Sequence, residues 1–144
     1  MSEKFVVGYD GSVTARRALD FALSRAKAQG GTILLVHVLE WSPYSFLTPQ
    51  ELEERHKRRR EEMDRAKHHI LEPVITEISD QGVEVTSELR YGKTADVICE
   101  IATDQKATQI IIGRDGHSAL SARVFGSVAS ALVQIAPVPC TIVP

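Results

Sequence analysis

Residues 33–39, Ile33-Leu34-Leu35-Val36-His37-Val38-Leu39, form an almost unbroken apolar run rich in β-formers. A run of this length without polar alternation suits a strand covered on both faces, as in a parallel sheet. Just before it, Gly30-Gly31 stops a helical pattern in which Ala15, Ala18, Leu19, Ala22, Leu23 and Ala26 recur on one side. Earlier still, Phe5-Val6-Val7-Gly8-Tyr9 reads as a short strand ending at Asp10. The opening of the chain is therefore strand, helix, strand. That is a βαβ unit, with parallel pairing and a right-handed crossover.

The same alternation continues downstream. Trp41 to Leu47 is an irregular aromatic segment containing Pro43. Thr48-Pro49-Gln50-Glu51 then opens a long helix, with Thr at the N-cap, Pro at the first helical position and Glu two residues later, a capping-box pattern. Pro73 is expected to kink or divide this helix before Gly82 ends it. Val83 to Leu89 is a less apolar strand, partly alternating, as at a sheet edge. A helix after Gly92 carries Val97, Ile98, Ile101 and Ala102 on one side. Gln109-Ile110-Ile111-Ile112-Gly113 is a fourth strand, Gly126 to Gln134 a helix, and Val138 to Val143 a fifth strand. The pattern predicts one doubly wound α/β domain over residues 1–144, with five parallel strands and about four helices. If the first three strands wind outward and the fourth returns beside the first, the order is 3-2-1-4-5.

Composition removes several classes of function. Lys and Arg number 17 against 19 Asp and Glu, a formal net charge of −2, and the pI is near 6.2. Nothing in that balance suggests a nucleic-acid-binding field. No apolar run approaches the roughly 18 residues of a membrane span, and the N-terminal run is too short and wrongly flanked for a signal peptide. Cys99 and Cys140 lie far apart without metal-ligand or CxxC spacing, and read as reduced, buried small hydrophobes. A cytoplasmic protein is expected.

In an open parallel sheet, ligands bind beyond the carboxyl ends of the strands, where the winding reverses. Here the crevice lies between strands one and four. Its walls are Asp10-Gly11-Ser12 and Gly113-Arg114-Asp115-Gly116, where the sequence concentrates glycine and short polar residues. Gly126-Ser127 then starts a helix, whose N-terminus supplies unpaired N–H donors and partial positive charge. Glycines admit a close approach of backbone to phosphate. The alternative is that Gly113 and Gly116 merely turn the chain and Ser127 merely caps a helix; Asp10, too, could serve only as turn chemistry.

The spacing Gly113-x-x-Gly116-x9-Gly126-Ser127 resembles the ATP-binding signature of the universal stress protein family. Val7-Gly8-Tyr9-Asp10-Gly11-Ser12 is similar to that family's first strand and turn, Leu35-Val36-His37-Val38 to its second strand, and Ala136 to Val143 to its closing strand. The resemblance covers essentially the whole chain and implies a Rossmann-like fold that binds ATP with Mg²⁺. It implies that Asp10 bonds the nucleoside, with Gly8 and Tyr9 on the same wall, and that Val38 and Ile112 flank the adenine. Gly113 and Gly116 would approach ribose and phosphates, and Gly126, Ser127 and Val128 would hold the phosphate tail. Magnesium would ride on the phosphates rather than on a protein cage. Asp115 departs from the pattern by placing a carboxylate in the phosphate loop, where the family commonly carries a basic or neutral residue.

The remaining candidates have plainer readings. His37 suits a satisfied core histidine, His68 and His69 turn to different helix faces, and His117 lies within the glycine loop. Arg55 to Arg60 is a basic run flanked by Glu51, Glu53, Glu54, Glu61, Glu62 and Asp64, a pattern of a solvated, salt-bridged helix face. Trp41, Tyr44 and Phe46 suit either a lid or packing over the long helix. Val138 to Val143 contains Pro139 and falls at a sheet edge, which predicts pairing with its copy in a symmetric homodimer, an arrangement common in the family. No GxxxxGK[ST] loop, Ser-His-Asp or Cys-His signature, or adenylyl-transfer signature occurs. The reading is a nucleotide-responsive regulatory dimer with an unidentified protein partner and at most slow ATP hydrolysis. The alternative is a nucleotide-free dimeric interaction protein of the same family.

Overall fold

The strand order is β3-β2-β1-β4-β5, all neighbours parallel, as the βαβ alternation requires. A computed structural model describes residues 2–40, 48–115 and 126–144. In chain order the elements are β1 (Lys4–Gly8), α1 (Val13–Gln29), β2 (Thr32–Leu39), α2 (Pro49–Ala66), α3 (Glu72–Ile78), β3 (Val85–Tyr91), α4 (Thr94–Asp104), β4 (Gln109–Gly113), α5 (Ser127–Ile135) and β5 (Cys140–Val143). The predicted Val83–Leu89 strand thus runs two residues later at each end, and the last strand starts at Cys140 rather than Val138. Pro139 still accepts a bond from Ile110 N–H through its carbonyl, at 2.9 Å, because a proline lacks only the donor.

The unbroken apolar runs are explained by two cores, one on each face of the sheet. Phe5, Val7, Ile33, Leu35 and Ile111 point to one face, where Ala18, Leu19, Ala22 and Leu23 of α1 and Val74 and Ile78 of α3 cover them. Val6, Leu34, Val36, Ile110 and Ile112 point to the other, under Val97, Ile98 and Ile101 of α4 and Ala129 and Leu132 of α5. Successive side chains alternate between faces, so a strand buried on both must be apolar throughout. Each Val, Leu or Ile so buried contributes on the order of 1.5–3 kcal/mol relative to exposure.

The long second helix divides where Pro73 demands it. Lys67–Leu71 forms a single π-helical turn, and Pro73 lies in the first turn of α3. A proline has no N–H for the carbonyl four residues back and its ring crowds that turn, so the helix widens just before it. Thr48 caps α2 as expected, its side chain accepting from Glu51 N–H at 3.2 Å. Only Ala66 of α2 is buried, and Tyr91 of the outer strand touches the helix at Arg59 and Glu62. The Arg59 guanidinium lies 4.7 Å from the Tyr91 ring centre, and the Tyr91 hydroxyl donates to Glu62 at 2.7 Å. Burial, then the bond to Glu62 and its charge, push the Tyr91 phenol up to about 12, against the opposing charge of Arg59.

The cysteines are half-buried rather than buried, which corrects the sequence expectation. Cys140 belongs to an edge strand whose four residues are all only partly covered, and Cys99 lies on α4 near Ile135. Burial still raises both thiols above the usual cysteine range. Among the described residues no helix is long and apolar enough to cross a membrane.

Candidate functional site

Strands β1 and β4 lie side by side and send their chains to opposite faces, β1 to α1 and β4 to α5. The gap between those departures is the crevice. On its first wall the Asp-Gly-Ser turn is built by local bonds. Asp10 Oδ1 accepts from Ser12 N–H at 2.9 Å, Gly11 takes a left-handed φ of 83°, and Ser12 caps α1 by accepting from Ala15 N–H at 3.1 Å. This Asx turn explains why Asp and Gly stand together here. Tyr9 N–H donates to the Val36 carbonyl at 2.8 Å, and His37 Nδ1 bonds the Tyr9 carbonyl at 2.7 Å. A carbonyl only accepts, so His37 carries its proton on Nδ1. It is the satisfied core histidine expected from the sequence, and it also lines the crevice. Burial, countered chiefly by Arg16, raises the Tyr9 phenol above its ordinary value.

The second wall is locked to the first by Thr14, a buried residue in the opening turn of α1. Its hydroxyl donates to the Asp115 carbonyl at 2.7 Å. Its backbone packs on Gly113 so closely that a Cβ there would stand 2.9 Å from the Thr14 carbonyl carbon and oxygen. Gly113 therefore has a packing reason as well as a place in the cavity. Arg114 N–H donates to Val143 at 2.8 Å, and Gly126 N–H donates to the Arg114 carbonyl at 2.8 Å, which brings the start of α5 back beside the end of β4. The Asp115 Oδ1 atom is buried and has no hydrogen-bond partner among the described residues. Its ion pair with Arg114 Nε, at 3.9 Å, is too long for a hydrogen bond.

Two helix N-termini face this space, and they differ. At α4 the Glu40 carboxylate, just after β2, accepts from Thr94 N–H at 3.0 Å. That negative charge satisfies and neutralises the α4 terminus. At α5 the N-cap is Gly126, with no side chain to cap it. Among the described residues the N–H groups of its first turn have no intrahelical acceptor, the usual condition of a helix N-terminus that can take an anion.

The resulting cavity has a volume of about 370 Å³. Gly8, Tyr9, Asp10, Val38, Ile112, Gly113, Gly126, Ser127 and Val128 all line it. Gly116, His117 and the aromatic segment of Trp41, Tyr44 and Phe46 lie outside the described residues. Val36, Thr94 and Ile98 line it too and were not singled out by sequence reasoning. Thr94 could have been found by asking which helix begins after the third strand, because that helix starts at the same carboxyl edge. Among the described residues no group of three His, Cys, Asp or Glu side chains could hold a metal ion.

The sequence profile described as the universal stress protein family matches residues 1–144. The chain belongs to the universal stress protein family. The Thermus aquaticus "universal stress protein in QAH/OAS sulfhydrylase 3′region" is 30% identical over 143 residues, covering 99% of each chain. The hypothetical protein MJ0577 has the same fold, with a TM-score of 0.82 at 23% identity over 99% of this chain and 96% of that one. A universal stress protein in complex with cAMP aligns with a TM-score of 0.68 at 21% identity, over 99% and 97% of the two chains. The universal stress protein of Archaeoglobus fulgidus in complex with dAMP aligns with a TM-score of 0.66 at 23% identity, over 100% and 98%. At these identities the solved structures establish the fold. The universal stress protein fold thus accounts for the whole strand order, and the crevice is its switch point.

Proposed function

We propose that this universal stress protein binds an adenine nucleotide in the β1–β4 crevice, in the cell ATP with Mg²⁺, and acts as a nucleotide-responsive homodimer without efficient turnover. The observation that carries the reading is the uncapped N-terminus of α5 opening into a cavity whose other wall is apolar. Val38, Ile98 and Ile112 offer flat aliphatic contact for a base. Asp10, with Gly8 and Tyr9 on the same wall, lies where a nucleoside's polar edge would meet it. Ser127 and Val128 supply backbone N–H groups and a hydroxyl for phosphate, beside Gly126, whose own N–H is held by the Arg114 carbonyl, and Gly113 lets the backbone approach it. Structural relatives in complex with cAMP and dAMP support an adenine nucleotide as the ligand class. Magnesium would be held mainly by phosphate oxygens, the mode this ion favours.

The dimer contact is assigned to Val138–Val143. β5 is an outer strand whose residues stay partly uncovered, and Val133 and Ile135 of the neighbouring α5 are 59% and 49% exposed. An apolar edge of this kind calls for a cover, and a second copy supplies one. A conformational response to nucleotide would then be passed to an unidentified regulatory protein.

Asp115 favours the second reading, a nucleotide-free interaction protein, because its carboxylate lies beside the phosphate position. Native mass spectrometry of the freshly purified protein separates the two. ATP released on denaturation, two per dimer, establishes the nucleotide reading. A dimer that stays empty in millimolar Mg-ATP establishes the other, and a monomer by light scattering at micromolar concentration refutes the strand-mediated dimer.

A further inference from the structure

A helix that packs on a domain carries a buried stripe, and α2 has almost none. Seven of the 17 residues of α1 and five of the 11 of α4 are buried, against Ala66 alone in the 18 residues of α2. Arg55, Arg59 and Met63 are half-covered and the others are exposed. What keeps α2 helical is local. Thr48 caps its first turn, and Glu51, Glu53 and Glu54 each stand four positions before a base, at Arg55, Lys57 and Arg58. Opposite charges at this spacing, acid first, support a helix weakly and without any core.

The joins between α2 and the domain are identifiable. At its C-terminal end the chain passes through the π-helical turn Lys67–Leu71 into α3, where Leu71, Val74 and Ile78 are fixed in the α1-side core. A π turn with Pro73 two residues beyond it interrupts the regular hydrogen-bond ladder, so bending between α2 and α3 falls there. From the side, the Tyr91 hydroxyl donates to Glu62 at 2.7 Å, and the Arg59 guanidinium lies 4.7 Å from the Tyr91 ring centre. Tyr91 pairs in register with Leu39 of β2, so this contact is anchored in the sheet. We infer that α2 is an arm that opens from the domain separately from the rest of the fold, turning at Lys67–Leu71 and latched by Tyr91. Among the described residues, opening gives up one buried alanine, a half-covered stripe and the Tyr91 contacts, whereas moving α1 or α4 uncovers a core. Elements with so little burial open locally, well below the free energy of global unfolding. The arm stands apart from the crevice and does not depend on the nucleotide reading.

Hydrogen exchange on the full chain at neutral pH, read by mass spectrometry, tests the arm. A detached α2 keeps only the marginal protection of an isolated helix of its length. Corrected for intrinsic rates, the amides of residues 53–65 should therefore exchange roughly thirtyfold or more faster than those of α1 and α4, with slow exchange restored by Val74. Tyr91→Phe keeps the ring and removes the hydroxyl. It should speed residues 53–65 by a further factor of about three to ten and leave α1 and α4 within about twofold of the parent. Glu62→Ala removes the same bond from the helix side and should act alike, and the double variant should add little to either single one. The parent protein decides whether α2 opens by itself, and either variant alone decides the latch should the other misfold. Exchange of residues 53–65 at the pace of α1 overturns the arm. Acceleration that is absent from the variants, or equal across all helices, overturns Tyr91 as the latch and the inference with it.

Discussion

Gly8 and Gly113 end the two strands that frame the crevice, and the same substitution should have very different consequences at each. Neither has the left-handed φ that would strain any L residue, so only space decides. At Gly113 a Cβ would meet the Thr14 carbonyl carbon and oxygen at 2.9 Å and the Thr14 Cβ at 3.1 Å. Ordinary contact begins near 3.4 Å, so β4 and the first turn of α1 would have to part by about half an ångström. The obstacle is backbone, fixed on one side by the sheet and on the other by the Thr14–Asp115 bond. Overpacking of this kind costs typically 1–3 kcal/mol, and the smaller entropy of an unfolded alanine offsets about 0.4–1 of it. Gly113→Ala should therefore lose about 1–2 kcal/mol, a fall in Tm of roughly 2–8 °C for a chain of this size. At Gly8 the new atom meets only the Ile98 and Ile112 Cδ1 tips, at 3.2 and 3.3 Å, which can rotate aside. Gly8→Ala should stay within about 1 kcal/mol of the parent, the entropy gain balancing the squeeze. Urea unfolding followed by circular dichroism measures both. Equal midpoints for Gly113→Ala and the parent, or a larger loss at Gly8, would show that the Thr14–Gly113 contact does not hold the two walls together.

Thr14→Val keeps the shape but leaves the Asp115 carbonyl without its donor, and should lower stability by about 1–3 kcal/mol in the same assay. Thr14→Ser retains the hydroxyl and should recover most of that loss; a serine variant no better than valine would refute the bond's importance. Asp115→Asn removes a carboxylate from the phosphate side of the cavity and should tighten ATP binding, since like charges a few ångströms apart oppose it by about 1–4 kcal/mol. Unchanged or weaker affinity by calorimetry would reject that charge argument. The Tyr91 phenol should titrate near 12 in the ultraviolet difference spectrum, and Glu62→Gln should move it back toward 10. Because the folded value is raised above the unfolded one, its stabilising effect is complete below pH 10 and is lost as pH rises toward 12.

How much of this was legible depends on whether a signal is local. The Thr48 cap, the break forced by Pro73 and the stop at Gly30 are each written within one turn of helix, and the structure contains all three. The strand order was legible because βαβ crossovers leave few topologies for such an alternation. The ends of the outer strands were not. Val83 is apolar for packing on the α1-side core rather than for pairing, so the third strand begins at Val85 and carries its pairing on to Tyr91. Nine of the ten residues assigned to the nucleotide line one cavity, with Gly116 outside the described residues. What the sequence could not show is the dual duty of those residues. Gly113 is required by Thr14, 99 positions away, and Asp10 is occupied by Ser12 as well as facing the crevice. Likewise Glu40 looks like an ordinary residue after a strand until the fold brings it to Thr94.

That last contact sets the electrostatics of the site. Among the described residues the cavity is lined by two carboxylates, Asp10 and Asp115, and by the guanidinium of Arg114. His37 is held with Nδ1 as donor to the Tyr9 carbonyl. Backbone dipoles add to the attraction for an anion, and two helices begin at this cavity. Glu40 cancels the one at α4, which would otherwise draw the ligand's negative charge toward Thr94 and away from the glycine loop. With Gly126 as N-cap, α5 is left as the positive end that faces the crevice. A weakly attracting pocket with one uncapped helix is selective by position more than by charge. On the proposed reading it would hold an anion where α5 begins and disfavour surplus negative charge beside Asp10 and Asp115. A magnesium ion carried on the phosphates lowers that surplus before the ligand enters. On this argument the metal dependence of ATP binding should be steep in the parent and shallower in Asp115→Asn, because only the parent has the second carboxylate to be offset.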